Sequence, residues 1–483
     1  MIFNSIPFFL FFSLFFLLYW LVFKNNVSFQ NLLVLAGSYL FYAWWDWRFL
    51  FLLAGSSLLN YYLGIYIAKS KNEKQRKLLL FVGLLQGIGG LIFFKYYNFF
   101  VTSFADAFSV FNIKIEANTL QLILPLGISF YTFRTISYLL DIDNEKTEPT
   151  TSWVVFFSYV AFFPSLVAGP IDRANLLIPQ LERKRVFEYD KATDGMRQIL
   201  WGLFKKVVVA DNCAIITNQI FDNYASLPAS SLVMGAFVYT IQLYADFSGY
   251  SDMAIGFARL LGFNITKNFN FPFFAQNIAL FWQRWHISLT SWMTEYVYTP
   301  LSFIFRKYGK MGLVAAILLN FLIIGLWHGA NWTFVCFGFL HGCYFIPLII
   351  RGTINKKVQV QSDKMLPSFS EFRNMLATFI LVAITNIIFR ADNISQALDY
   401  YKHIFSLSIF SFPSLKINMN TISAIIFSCM TLLIEWLGKK QEYAITVLVR
   451  KFSKPVRWAF YYAIAIIIFL FAAKEQQFIY LQF

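Results

Sequence analysis

Charged residues are scarce in this sequence of 483 residues. Asp, Glu, Lys and Arg together make up 13% of it, whereas hydrophobic residues make up 58%, and the mean hydropathy is +0.58. Charged residues are about a quarter of an ordinary soluble globular protein. The composition therefore excludes a soluble globular protein and indicates an integral membrane protein with many spans.

Cysteine is rare as well. The four cysteines (Cys213, Cys336, Cys343 and Cys429) are scattered, with no CxxC pair and no Cys/His group at zinc-binding spacing. We therefore expect neither a disulfide framework nor a metal site. A serine nucleophile elbow, a Walker loop and a dinucleotide fingerprint are also missing from the sequence, which argues against phosphoryl and hydride transfer.

Acidic residues are outnumbered by basic ones, 25 to 40, which gives a formal net charge of +15. The basic residues lie in short loops between apolar runs, as the positive-inside rule requires, so we expect no nucleic-acid partner. Segment 69–77 has five basic residues and one acid, and we predict that it is cytoplasmic. Counting back three spans predicts an extracytoplasmic N-terminus, with run 6–23 as the first span and not a cleavable signal peptide.

Apolar runs predict an all-α, polytopic fold of about eleven to thirteen transmembrane and re-entrant helices around a central cavity. We expect a single membrane-embedded domain over residues 1–483. The predicted spans are 6–23, 29–45, 49–68, 78–96, 120–140, 152–169, 196–222, 230–262, 311–328, 333–350, 373–390, 421–437 and 458–473. Between about 160 and 300, residues such as Pro164, Asp246 and Pro272 interrupt the apolar runs and predict broken helices that line a cavity.

Histidine occurs only four times, as His286, His328, His341 and His403. His328 ends an apolar run and precedes a small, polar turn at 329–331 between two tryptophans. A histidine there is either a proton-transfer residue or a cap on a helical hairpin. On one continuous helix His341 would lie about 20 Å further along the axis. A turn at 329–331 would let the two histidines approach, but we expect a structural role for His341 in either case. His403 is predicted in a solvated loop.

His286 lies in the aromatic and polar segment 281–292, together with Arg284, Ser288 and Thr290. These side chains are typical of a polar site. They are equally compatible with an interfacial helix whose tryptophans lie at headgroup level and whose arginine faces phosphate.

Several segments together carry a resemblance to a known family. They are 38–46 (SYLFYAWWD), 124–133 (LPLGISFYTF), 162–171 (FFPSLVAGPI), 244–250 (YADFSGY), 281–292 (FWQRWHISLTSW) and 327–332 (WHGANW). The chain resembles the membrane-bound O-acyltransferases, in particular the bacterial branch of alginate O-acetyltransferase and its peptidoglycan and D-alanyl-transferring relatives. Arg134 departs from the neutral polar residue that we expect after the FYTF run.

The resemblance implies that His328 of the Trp-His-Gly motif is catalytic and that His286 is the second catalytic histidine. We expect six substrate-binding residues around them: Arg284, Trp327, Asn331, Ser288, Asp246 and Tyr244. It further implies that acetyl-CoA is the donor substrate, with no bound cofactor. His328 would act as general base, while His286, Arg284 or backbone donors stabilise the oxyanion.

The implied partners are the acyl donor, membrane lipid, a polysaccharide acceptor and an extracytoplasmic acetyltransferase-like protein, with the chain in the inner membrane. Three alternatives remain. The donor could be D-alanine on a carrier protein. A transporter of glycans or lipids would share the broken helices, but it predicts an internal repeat, and the sequence contains none. The third alternative is a scaffold without catalysis.

Overall fold

The computed structural model describes residues 1–109, 111–354, 365–414, 418–446, 452–474, 476 and 478–479, and these residues form helices without any strand. In chain order the helices are α1 (Ile6–Leu17), α2 (Val27–Ala43), α3 (Phe49–Lys69), α4 (Glu73–Leu91), α5 (Tyr97–Ser109), α6 (Ile128–Asp143), α7 (Trp153–Val160), α8 (Phe163–Leu166), α9 (Ala174–Glu182), α10 (Tyr189–Leu203), α11 (Asp211–Asp222), α12 (Ala229–Leu260), α13 (Ile278–Trp282), α14 (Ile287–Met293), α15 (Thr299–Ile304), α16 (Gly309–His328), α17 (Trp332–Ile350), α18 (Phe369–Arg390), α19 (Ile394–Ile404), α20 (Met419–Gly438) and α21 (Lys454–Phe471).

Within the described residues, seven helices are long and apolar enough to cross a membrane. They are Phe49–Lys69, Glu73–Ser109, Arg306–His328, Trp332–Ile350, Phe369–Arg390, Met419–Gly438 and Lys454–Phe471. Two shorter apolar helices, Ile6–Val22 and Val27–Ala43, match the first two predicted spans. The predicted all-α, polytopic membrane fold is confirmed.

Two predicted spans differ from the structure for local reasons. The span predicted at 120–140 becomes helical only at Ile128, because Pro125 precedes it and Gly127 adopts a left-handed φ of 69°. The span predicted at 152–169 is broken after Val160, and only the short helix α8, which contains Pro164, follows. The irregular backbone expected after residue 160 is therefore present.

The chain divides into two compact units. Unit 1 contains Met1–Gly195 and Phe257–Thr266, and unit 2 contains Met196–Gly256 and Lys267–Phe483. The single domain over 1–483 stays a prediction.

Unit 1 contains a fully buried arginine, Arg134 on α6. Its Nη1 donates hydrogen bonds to the carbonyls of Tyr159 at 3.2 Å and Val160 at 3.1 Å, and its Nη2 donates to the Ser165 hydroxyl at 2.5 Å. The Asp172 carboxylate lies 3.8 Å from Nη2, and both side chains of this ion pair have no exposed surface. The guanidinium therefore satisfies carbonyls that the broken helix leaves without helical partners.

Replacing Arg134 with Met should destabilise the protein strongly, because it removes the charge that pairs with the buried Asp172. Breaking a buried ion pair costs about 3–5 kcal/mol. Thermal unfolding in detergent measures the effect. Arg48→Met is the control, because Arg48 pairs with Asp46 at 2.6 Å while its side chain is 61% exposed, and solvent screens the charges of such a surface pair. Equal losses of stability in the two variants would contradict this account of Arg134.

Candidate functional site

His328 is the last residue of α16, at the end of a helical hairpin. Gly329 takes an extended conformation, and α17 begins at Trp332. The Asn331 side chain caps α17 by accepting a hydrogen bond from the Thr333 backbone at 3.0 Å, and it donates to the Asp392 carbonyl at 2.8 Å. The turn considered at 329–331 is therefore present. A substrate-binding role for Asn331 stays a prediction.

The two helices of this hairpin pack at backbone distance through a pair of glycines. A Cβ added at Gly325 would overlap the Phe334 carbonyl oxygen and lie 3.2 Å from the Gly338 Cα. A Cβ added at Gly338 would overlap the Phe321 carbonyl oxygen. Small residues at such contacts allow membrane helices to pack closely. The glycine pair thus brings the end of α16 into close contact with α17.

His328 is 3% exposed and lines a small cavity. We call this the histidine cavity. Its polar lining consists of His328, His341 and Asn386; its other walls are Leu243, Phe281, Trp282, Trp285, Phe337, Val382 and Phe389. The His328 ring makes edge contacts with Phe337 and Phe389, at centroid distances of 5.6 and 5.1 Å. The His328 imidazole therefore lies in a largely aromatic space.

His341 lines the same cavity and was not among the predicted site residues. It is 1% exposed, its ring lies 4.5 Å from that of Phe337, and its Nδ1 accepts a hydrogen bond from Trp282 Nε1 at 3.2 Å. The sequence signal that could have predicted its position is the turn after His328. The turn reverses the direction of the chain, so α17 packs antiparallel to α16 and His341 does not lie further along the same axis.

His286 is fully buried and has a left-handed backbone, with φ 45° and ψ 53°. Such a conformation costs about 1–2 kcal/mol for a residue other than glycine. Its ring contacts Phe247 at 4.7 Å and Trp327 at 5.5 Å. Burial lowers the pKa of His286 to about 3, so its imidazole is neutral near neutral pH.

Trp327 connects the two predicted histidines. Its indole ring lies 5.0 Å from the His328 ring and 5.5 Å from the His286 ring, and its side chain is buried. The structure therefore brings together three of the predicted site residues. Their roles in catalysis and substrate binding stay predictions.

Arg284 and Ser288 contact the loop that precedes α13. Arg284 Nη1 is 3.5 Å from the Phe271 carbonyl, and the Ser288 hydroxyl donates to Asn268 Oδ1 at 2.6 Å. Asn268 in turn donates to the Ser251 hydroxyl at 3.2 Å. All four side chains of this polar group, namely Arg284, Ser288, Asn268 and Ser251, are buried. Arg284 and Ser288 are two of the predicted substrate-binding residues. In the structure, both make contacts that order the loop.

Asp246 and Tyr244 lie on α12 but belong to two different polar groups. Asp246 pairs with Lys206 at 2.8 Å and accepts a hydrogen bond from the Ile479 backbone at 2.9 Å. Tyr244 lies 2.9 Å from both carboxylate oxygens of Glu435. Their substrate-binding roles stay predictions, and sequence reasoning did not identify Lys206 or Glu435.

A second small cavity is lined by many charged and hydroxyl side chains, and we call it the polar cavity. Its charged and hydroxyl lining comprises Lys205, Tyr244, Ser248, Ser251, Asp252, Lys267, Glu435, Glu442 and Tyr443. Lys205 binds Asp252 at 2.7 Å and Ser248 at 2.9 Å. Its amine is thereby compensated, as burial of a charge requires.

The family model described as MBOAT, membrane-bound O-acyltransferase family, matches residues 145–389, a range that includes His286, His328 and His341. The chain is 35% identical over 450 residues to the probable alginate O-acetylase AlgI of Pseudomonas aeruginosa, covering 92% of this chain and 82% of that relative. It is also 35% identical over 412 residues to the peptidoglycan O-acetyltransferase of Helicobacter pylori, covering 80% and 76%.

A more distant similarity extends to the teichoic acid D-alanyltransferase of Streptococcus thermophilus, with 28% identity over 323 residues, 60% of this chain and 75% of that relative. The fold defines a multi-pass membrane protein whose site is built around buried histidines. The chain belongs to the membrane-bound O-acyltransferase family. It is an enzyme that transfers acyl groups, so the predictions of family and enzyme class are confirmed.

Replacing Gly325 with Ala should force α16 and α17 apart and displace His328. A misplacement of about 1 Å at a reacting group costs on the order of a hundredfold in rate. We expect a loss of that size in acyl transfer, measured with purified enzyme. Gly89→Ala in α4 is the matched control, because nothing lies within 4 Å of its added Cβ. Equal activity in the two variants would argue against the glycine contact as the origin of the site geometry.

Proposed function

We propose that this chain moves an acetyl group from a cytoplasmic thioester, acetyl-CoA, to a hydroxyl group on the extracytoplasmic side of the membrane, with His328 as general base. The observation that carries the proposal is the position of His328 in the wall of a buried, aromatic cavity. Such a cavity limits the access of water, which would otherwise compete with the acceptor for the thioester. The names of the O-acetylating relatives support the acetyl group.

In the proposed reaction, the acceptor hydroxyl gives its proton to His328 while its oxygen bonds to the carbonyl carbon of the thioester. The carbonyl oxygen becomes negative. When the carbon–sulfur bond breaks, the thiolate takes the proton from the His328 imidazolium and leaves as a thiol. The products are an ester and CoA, and His328 returns to its neutral form.

His286 remains our candidate for a second catalytic histidine, with Arg284 as a further donor for the oxyanion. Their surroundings support a more indirect contribution. The His286 ring packs against Trp327, which itself packs against His328, and the Arg284 guanidinium is directed to the Phe271 carbonyl. A change at either residue would therefore act on His328 through the aromatic contacts or through the loop.

The proposed direction of transfer follows from charge. The basic segment 69–77 favours a cytoplasmic position, which gives an extracytoplasmic N-terminus in the inner membrane. Basic loops on that side would attract the phosphates of CoA. The acyl group would then enter from one compartment and the hydroxyl from the other.

For the acceptor we propose a polysaccharide, such as alginate or peptidoglycan, because the two O-acetylating relatives carry these names. The hydroxyl belongs either to the glycan itself or to a serine or threonine of an extracytoplasmic acetyltransferase-like partner that passes the acetyl group on. D-alanyl transfer from a carrier protein is the second candidate, favoured by the similarity to a D-alanyltransferase. That similarity is lower and covers less of the chain, so acetyl transfer is preferred.

His328→Ala should abolish acetyl transfer without loss of membrane insertion, because the variant lacks the base that takes the hydroxyl proton. Labelled product formed by purified enzyme measures the activity. His403→Ala is the control, because His403 lies in α19 against the Tyr224 ring and does not line the histidine cavity. Near-normal transfer by His328→Ala would refute the assignment.

The donor can be tested separately. Membranes that contain the chain should label polysaccharide when given acetyl-CoA labelled in the acetyl group, and His328→Ala membranes should not. D-alanyl carrier protein labelled in the alanyl group is the competing donor. Labelling from the carrier protein and none from acetyl-CoA would replace acetyl transfer by D-alanyl transfer.

A further inference from the structure

His341 reaches the histidine cavity from the middle of α17, whereas His328 reaches it from the end of α16. The Phe337 ring contacts both imidazoles, at centroid distances of 5.6 Å from His328 and 4.5 Å from His341. Both histidines are almost completely buried. A ligand in this cavity therefore meets two imidazoles.

The hydrogen bond from Trp282 determines which nitrogen of His341 carries the hydrogen. Indole Nε1 is only a donor, so His341 Nδ1, which accepts this bond at 3.2 Å, must hold a lone pair. A neutral imidazole has one N–H, which therefore lies on Nε2. Trp282 is buried and its ring lies 5.1 Å from the imidazole. His341 is thus a hydrogen-bond donor through Nε2.

Accepting the Trp282 N–H uses only one of the two ring nitrogens of His341, namely Nδ1. The ring neighbours of His341 are aromatic, with Phe321 at 6.3 Å, Phe337 at 4.5 Å and Tyr344 at 5.7 Å. A donor that lines a cavity is useful when an acceptor enters that cavity.

We propose that His341 is a catalytic residue that donates its Nε2–H to the carbonyl oxygen of the acyl group while His328 removes the proton of the acceptor hydroxyl. The proposal rests on the proposed function. The bond strengthens as negative charge develops on the oxygen, and the aromatic walls lower the local dielectric. Trp282 is then a positioning residue, because it acts through the tautomer of His341.

The test compares His341→Gln with His341→Asn in purified enzyme. The Gln amide nitrogen reaches the position of Nε2, whereas the Asn amide reaches only that of Nδ1. We expect His341→Gln to keep kcat within about tenfold and His341→Asn to lose on the order of 10²–10³ in kcat, as removal of one oxyanion donor does. The KM for acetyl-CoA should change little, because the bond strengthens in the transition state.

Trp282→Phe supplies an independent measurement, because it removes the N–H that selects the tautomer. We expect a loss of about tenfold in kcat, which is the lower end of the cost of removing a partner that orients a metal-bound histidine. In the His341→Asn background the same change should have no further effect on kcat. Additive losses would instead indicate that Trp282 contributes only to packing.

Equal kcat values for His341→Gln and His341→Asn would overturn the inference. If His341→Asn does not fold, Trp282→Phe decides: a lower kcat at an unchanged melting temperature supports the inference, and an unchanged kcat contradicts it. Failure of the proposed function looks different, because His328→Ala would then retain transfer. An inactive His328→Ala together with a fully active His341→Asn would contradict only the role of His341.

Discussion

The close contact between Gly325 and Gly338 is the constraint on which the site depends. It sets the separation of α16 and α17, and both histidines of the cavity belong to these two helices. Each side chain is then packed against Phe337, so neither imidazole can shift without moving an aromatic ring. A rigid hairpin of this kind supplies the fixed geometry that acyl transfer requires, because catalytic groups must be held in position before the substrates arrive.

Unit 2 contains buried lysine side chains that form ion pairs with aspartates. Lys206 binds both Asp211 and Asp246 at 2.8 Å, and Lys205 binds Asp252. Isolated charges at membrane depth are costly, so partners of opposite sign are needed wherever they occur. Asp246 therefore has a sufficient structural reason to be present. An ionisable residue in an apolar run can thus be the partner of another buried charge and need not be a substrate ligand.

The difference between local sequence signals and contacts of distant residues explains which parts of the site could be predicted from the sequence. His328 at the end of a helix follows from local signals, namely an apolar run, a glycine and an asparagine cap, and the structure has all three. The pairing of Tyr244 with Glu435 spans 191 residues, and no local pattern indicates it. For His341 the sequence favours a structural role even with a turn at 329–331, and no local pattern indicates that its ring lines the same cavity as His328. Broken helices near Pro164 were predictable, whereas the burial of Arg134 against Asp172 depends on tertiary packing.

The aromatic walls of the histidine cavity do more than exclude water. A general base must present a lone pair to the substrate, and an oxyanion donor must present an N–H. Of two neutral imidazoles, one must therefore turn its unprotonated nitrogen to the substrate and the other its protonated nitrogen. In the proposed reaction, the Trp282 bond leaves the N–H of His341 on Nε2 and so suits this residue to the donor role. In an aromatic cavity the low dielectric favours neutral rings before reaction and strengthens hydrogen bonds to charge that develops during it. The composition of the wall and the tautomer of His341 therefore act on the same step.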